Sequence, residues 1–189
     1  MHSSKKRSLS RPSHTRKPSG VRRRAWIFVA LFSSFCIAGF GVLLSPVTSP
    51  AVLRFSHSLV SFCGVLIAAC GGHARVEGSI LRDPSSGFSV EMKDGCNAAN
   101  VTVFLWSAML AFPSPWKTKV WGFLAGGIVI HAINILRFIS LFYLGLYSRY
   151  WFDFAHAYLW ETLLVLDTVV VFSLWVNRVS QSAAAAHAA

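Results

Sequence analysis

The sequence predicts an all-α, multi-pass membrane protein with about four transmembrane helices, one outer interfacial amphipathic helix and a small β-hairpin. Three observations carry that prediction. The 189 residues are 54% hydrophobic and only 13% charged, against roughly 25% charged in soluble domains. The apolar residues gather in charge-poor runs, several of them long enough to cross a hydrocarbon core of about 30 Å. The charge is lopsided. Of a formal net +11, residues 1–24 hold nine bases (Lys5, Lys6, Arg7, Arg11, Arg16, Lys17, Arg22, Arg23 and Arg24) and no acid. Residues 25–189 are close to balanced, which argues against a nucleic-acid-binding surface. The length allows one domain.

Residues 1–24 are rich in Ser, Pro and Arg and lack apolar periodicity, so a disordered cytoplasmic tail touching anionic lipid is expected. The run Ala25–Leu44 carries no charge. It exceeds a usual signal-peptide core, and Leu44-Ser45-Pro46-Val47-Thr48 offers no convincing cleavage site, so a retained anchor is expected. Ala98–Phe112, Val120–Tyr147 and Ala157–Val176 read as three more spans. Residues 51–70 are apolar but hold Arg54, Ser56, His57, Ser58 and Ser61. If they cross, Lys117, Lys119 and Arg178 fall outside. If they lie on the outer surface, those bases fall inside, as the positive-inside rule prefers. Residues 72–81 and 88–92 alternate loosely around Asp83-Pro84-Ser85-Ser86-Gly87, the pattern of a hairpin. Residues 179–189 end in an alanine run and are expected to form a low-complexity tail.

Under four crossings, Cys96, Arg137 and His156 fall at one depth on the outer side. A thiolate attacks carbonyls, a histidine carries its proton, and an arginine stabilises an oxyanion. Arginine inside a span is costly, so its default reading is functional. Cys96 follows Gly95 at an expected helix start, where the helix dipole favours thiolate. Asn134, one turn from Arg137, is expected to orient it, and Asn134, Asn97 and Asp94, the last two flanking Cys96, are expected to bind substrate or support the site. Cys36, Cys63, Cys70 and His131 read as packing residues, with Cys63 and Cys70 on one helix face. Asp167 lies inside the last span with no partner that the sequence names. The four cysteines show no CxxC spacing, and no metal or cofactor is expected.

The order Val76-Glu77-Gly78-Ser79-Ile80-Leu81, Asp94-Gly95-Cys96-Asn97, Asn134-Ile135-Leu136-Arg137 and a His opening the last span resembles the exosortase/archaeosortase family. The small size and the Phe152-Asp153-Phe154-Ala155-His156 context look most like exosortase H. The resemblance covers roughly residues 50–176 and makes residues 25–178 an exosortase-like membrane domain. It implies catalytic Cys96, Arg137 and His156. It also implies a bacterial inner-membrane cysteine protease or transpeptidase with its site facing the periplasm. Its partners are then exported proteins bearing a C-terminal sorting tail, namely an Ile-Pro-Thr-Leu-type motif, a transmembrane helix and a basic cluster. Two positions depart from the family pattern: Ala98 stands where many members have Gly, and Ala157-Tyr158 follows His156. Two other readings stay open on the residues alone: a membrane thiol-disulfide oxidoreductase, in which Cys70 and Cys96 pair, and a non-catalytic scaffold subunit.

Overall fold

A computed structural model describes residues 19–188. It is predominantly helical, with one small antiparallel sheet. The expected basic tail lies largely outside the described residues. Its last part, Ser19–Arg24, begins the first helix, α1 (Ser19–Leu43). The expected C-terminal tail is also helical, since the last helix runs to Ala188.

After α1 comes a turn at Ser45–Thr48, in which the Thr48 hydroxyl donates back to the Val42 and Ser45 carbonyls. Helix α2 (Ser49–Ala69) starts with Pro50 in its first turn, where a missing N–H costs nothing. Strands β1 (Arg75–Glu77), β2 (Ile80–Arg82) and β3 (Ser89–Glu91) follow, then α3 (Ala99–Ala111), α4 (Trp116–Tyr147) and α5 (Arg149–Phe154). A π-helical turn over Ala155–Leu159 joins α5 to α6 (Trp160–Ala188).

The hairpin is larger than expected. Three strands pair antiparallel in the order β1-β2-β3, because Gly78-Ser79 makes a second, tight turn with Glu77 opposite Ile80. The turn from β2 to β3 is held by Asp83, whose Oδ2 accepts from the Ser86 hydroxyl and the Ser86 amide, both at 2.7 Å. Those bonds hold the Asp83 carboxyl below the usual carboxylate range.

Among the described residues, four helices are long and apolar enough to cross a membrane: Gly20–Leu43, Ser49–Ala69, Trp116–Tyr147 and the continuous Arg149–Ser182. This set differs from the expected one. α2 qualifies by length, while the 13-residue α3 covers only about 20 Å. α4, at 32 residues, is about 48 Å long, so roughly a third of it projects beyond an apolar layer of about 30 Å.

The contacts of α2 follow the second half of α4, in the same direction. Phe55 packs edge-on to His131 at 5.1 Å. Leu59, Val60, Cys63 and Ile67 join Phe138 and Phe142 in one core with Leu81, Val90 and Met92 of the sheet. α2 therefore lies beside the far part of α4 and holds the sheet there. A second core binds the first half of α4 to α3 and α6, through Leu105, Met109 and Ile130 with Phe123, Val171 and Trp175. α3 runs antiparallel to α4, with Thr102 near His131 and the Lys119 ammonium donating to the Leu110 carbonyl at 2.8 Å. α1 packs on α3 through Phe40 and Phe104, 5.1 Å apart.

Candidate active site

Beside the first core, against Val90 and Phe138, lies a cavity of about 480 Å³, within the range of ligand pockets. Cys96, Asn134, Arg137 and His156 all line it, with Ser89, Val90 and Glu91 of β3 and with Phe152. The three residues singled out for chemistry therefore share one space, although 41 and 19 positions separate them along the chain.

Cys96 is half-buried and carries a free thiol. It sits in the turn before α3, where its N–H donates to the Lys93 carbonyl at 2.9 Å. The helix begins only at Ala99, so Cys96 stands three residues before the helix and not in its first turn. Gly95, at φ +91°, turns the chain into this position. Ala98 has φ +58° and is the only residue other than glycine with positive φ among the described residues. An alanine there costs about 1–2 kcal/mol, and such strain concentrates at functional sites.

Asn97 is buried but points away from the cavity. Its Oδ1 accepts from the Ala99 amide at 3.0 Å and its Nδ2 donates to the Ser56 hydroxyl at 3.1 Å. It thereby ties the Cys96 turn to α2. Asp94 is exposed and stands outside the cavity lining.

Arg137 is only 2% exposed, and its Nη1 has no hydrogen-bond partner. The ion pairs among the described residues are Arg82–Glu77 and Arg149–Asp153, so no carboxylate lies within ion-pairing distance of it. Burying a guanidinium without a counter-charge costs several kcal/mol, and the fold retains it at the cavity wall. Asn134 is fully buried on the same side of α4, and neither Nδ2 nor Oδ1 has a partner. It makes no hydrogen bond to Arg137, contrary to the orienting role expected of it.

His156 lies in the π-helical turn, a rare geometry that recurs at functional sites. Its ring stacks on Phe152 at 5.8 Å, nearly parallel, and its Nδ1 is buried without a partner. Unsatisfied buried polar atoms are few in native proteins. Here Asn134, Arg137 and His156 each contribute at least one to a single cavity.

The other candidates separate cleanly. Cys63 is buried in the core shared with the sheet, while Cys70 is exposed just beyond the end of α2 and does not have the packing role expected of it. Cys36 is buried on α1, and all four thiols are free. Asp167 faces a separate apolar crevice between α4 and α6. The sequence reading missed the charged rim. Arg149 pairs with Asp153 at 3.1 Å and both line the cavity, as do Glu91 and Lys93. The i,i+4 spacing of Arg149 and Asp153, three residues before His156, was the available signal.

No family model matches the chain, and no curated protein or solved structure matches it either. The family expectation therefore rests on the motifs and on the cavity they share.

Proposed function

We propose that the protein is a membrane-embedded cysteine protease or transpeptidase of the exosortase type, acting on C-terminal sorting tails of exported proteins. The observation that carries this reading is the convergence of a free thiol, an unpaired buried guanidinium and an imidazole with an unpartnered nitrogen on one cavity.

The chemistry follows from those groups. His156 takes the Cys96 proton, and the thiolate sulfur bonds to the scissile carbonyl carbon. Arg137 stabilises the oxyanion that forms. Collapse breaks the C–N bond, and His156 returns the proton to the departing amine. An acceptor nucleophile or water then gives its proton to His156, attacks the thioester and releases Cys96.

In this reading the basic tail is cytoplasmic, in a bacterial inner membrane. α1, α3, the first part of α4 and α6 occupy the bilayer. α2, the sheet, α5 and the end of α4 form a periplasmic layer above it. Packing of α2 on the length of α4 that exceeds the bilayer supports that division. Burial of α3 between α1, α4 and α6 makes its short length tolerable.

The test is co-expression with a tagged protein bearing an Ile-Pro-Thr-Leu-type sorting tail. Wild type shortens the substrate, Cys96→Ala leaves it intact, and Cys70→Ala processes it normally. Equal loss in Cys96→Ala and Cys70→Ala at matched expression would falsify the role given to Cys96.

A further inference from the structure

The sheet ends on an open edge, and that edge belongs to the cavity. β3 pairs with β2 and, among the described residues, has no second neighbour. Met92 donates to the Ser79 carbonyl and Asp83 to the Phe88 carbonyl, each at 2.8 Å, with Val90 opposite Leu81 between them. In an antiparallel ladder the main-chain groups alternate sides. Phe88, Val90 and Met92 therefore direct N–H and C=O toward β2, while Ser89 and Glu91 direct theirs away from it. Among the described residues, no turn or loop hydrogen bond uses the main chain of Ser89 or Glu91. Both residues are exposed, and both line the cavity that holds Cys96. Two donors and two acceptors at strand spacing thus face the reacting thiol's own space.

A second observation points to the same kind of ligand. Asn134, fully buried in that cavity, has both its donor and its acceptor unpartnered. A carboxamide offers one N–H and one C=O in a plane, the complement of a peptide group. Open strand edges are normally covered or blunted by the fold. Here the edge is left open where Asn134 is also left unpaired.

From this we infer that the substrate binds as an extended strand added to β3, with Ser89 and Glu91 pairing its main chain and Asn134 holding a further peptide group. This rests on the proposed protease reading and supplies its binding mode. Main-chain pairing gives affinity with little regard to side chains, while alternate side chains of the added strand meet the walls. One wall is the Phe138 and Leu141 face of α4, and the other is the Arg149–Asp153 rim. The strand continues through Met92 and the Lys93 turn to Cys96, so a chain lying along β3 is led toward the thiol.

The experiment uses the full chain in detergent, carrying Cys96→Ala to prevent turnover. The probe is a synthetic peptide of an Ile-Pro-Thr-Leu motif followed by an apolar helix and a basic cluster. Peptide binding is read by fluorescence anisotropy, and single-amide hydrogen exchange by NMR. The expected result is at least tenfold slower exchange at the Ser89 and Glu91 amides when peptide is bound. Ser89→Pro and Glu91→Pro each delete an outward N–H and leave the β2 ladder intact. Each is expected to weaken binding about tenfold with an unchanged melting temperature. If a proline variant does not fold, the exchange measurement decides alone.

Binding without protection of those amides overturns the strand, as does absence of binding. Protection that appears without peptide and grows with protein concentration means the edge pairs with a second copy, and it too overturns the proposal. If peptide protects the amides but the Cys96 protein never cleaves it, the added strand stands and the thiol chemistry fails. If co-expressed substrate is cleaved yet no protection occurs, the thiol chemistry stands and the added strand fails.

Discussion

The two halves of the bundle treat polar atoms differently. In the half formed by α3, the first part of α4 and α6, three polar side chains that bridge helices are paired, while the Ser114 hydroxyl and the His131 Nδ1 are not. The Trp175 indole donates to the Thr118 carbonyl at 3.0 Å, Trp106 to Phe123 at 3.3 Å and Lys119 to Leu110 at 2.8 Å. A Cβ added at Gly122 would run into the Trp175 ring. At the start of the other half, Asn134, Arg137 and His156 hold unpaired atoms around a cavity. The first arrangement is what stability alone selects. The second costs stability unless those atoms find partners, which the proposed substrate would supply.

Arg137→Met sharpens this contrast most. Removing an uncompensated buried charge leaves stability unchanged or raises it by about 1–4 kcal/mol. Losing the oxyanion partner lowers turnover about 10²–10³-fold. Thermal unfolding in detergent and substrate processing, measured side by side, check the two directions. A variant that is both less stable and fully active would break the comparison.

Gly122→Val probes the paired half and should give the reverse. Overpacking against Trp175 lowers stability by about 1–3 kcal/mol, while activity per folded molecule stays near wild type. The smallest effect is expected at Ala98→Gly, on the border between the halves. Relief of about 1 kcal/mol of left-handed strain is offset by about 0.8 kcal/mol for the buried methyl and by glycine's entropy. The melting temperature should stay within about 2 °C, with activity retained.

Much of this was legible in the sequence, and the reason differs by element. α1 and α4 announce themselves because a long, charge-poor apolar run has few alternatives to a helix. Cys96, Arg137 and His156 were legible because each is chemically conspicuous where it stands, and they do share a cavity. The third strand was not legible: Arg75-Val76-Glu77 has one apolar residue and only its pairing with β2 makes it a strand. Nor was the π-helical turn at His156, whose sequence reads as ordinary helix. The Asn97–Ser56 bond joins positions 41 residues apart, and no local pattern encodes it. Asn134 was noticed, but as a partner of Arg137, because helical spacing shows which residues are neighbours and not whether they bond.

The length of α4 has a further consequence. From Trp116 to Arg137 the helix rises about 32 Å, close to the thickness of a bilayer's apolar layer. In the proposed reading this makes α4 a gauge that fixes the height of the cut. A substrate's own helix floats in the same lipid, and its cleavage point rises or sinks relative to that mark as the bilayer thins or thickens. Mismatch costs only fractions of a kcal/mol per Å, yet each Å moves the scissile bond relative to Cys96. Lipid composition would then select among tails of different length with no change in either protein's sequence.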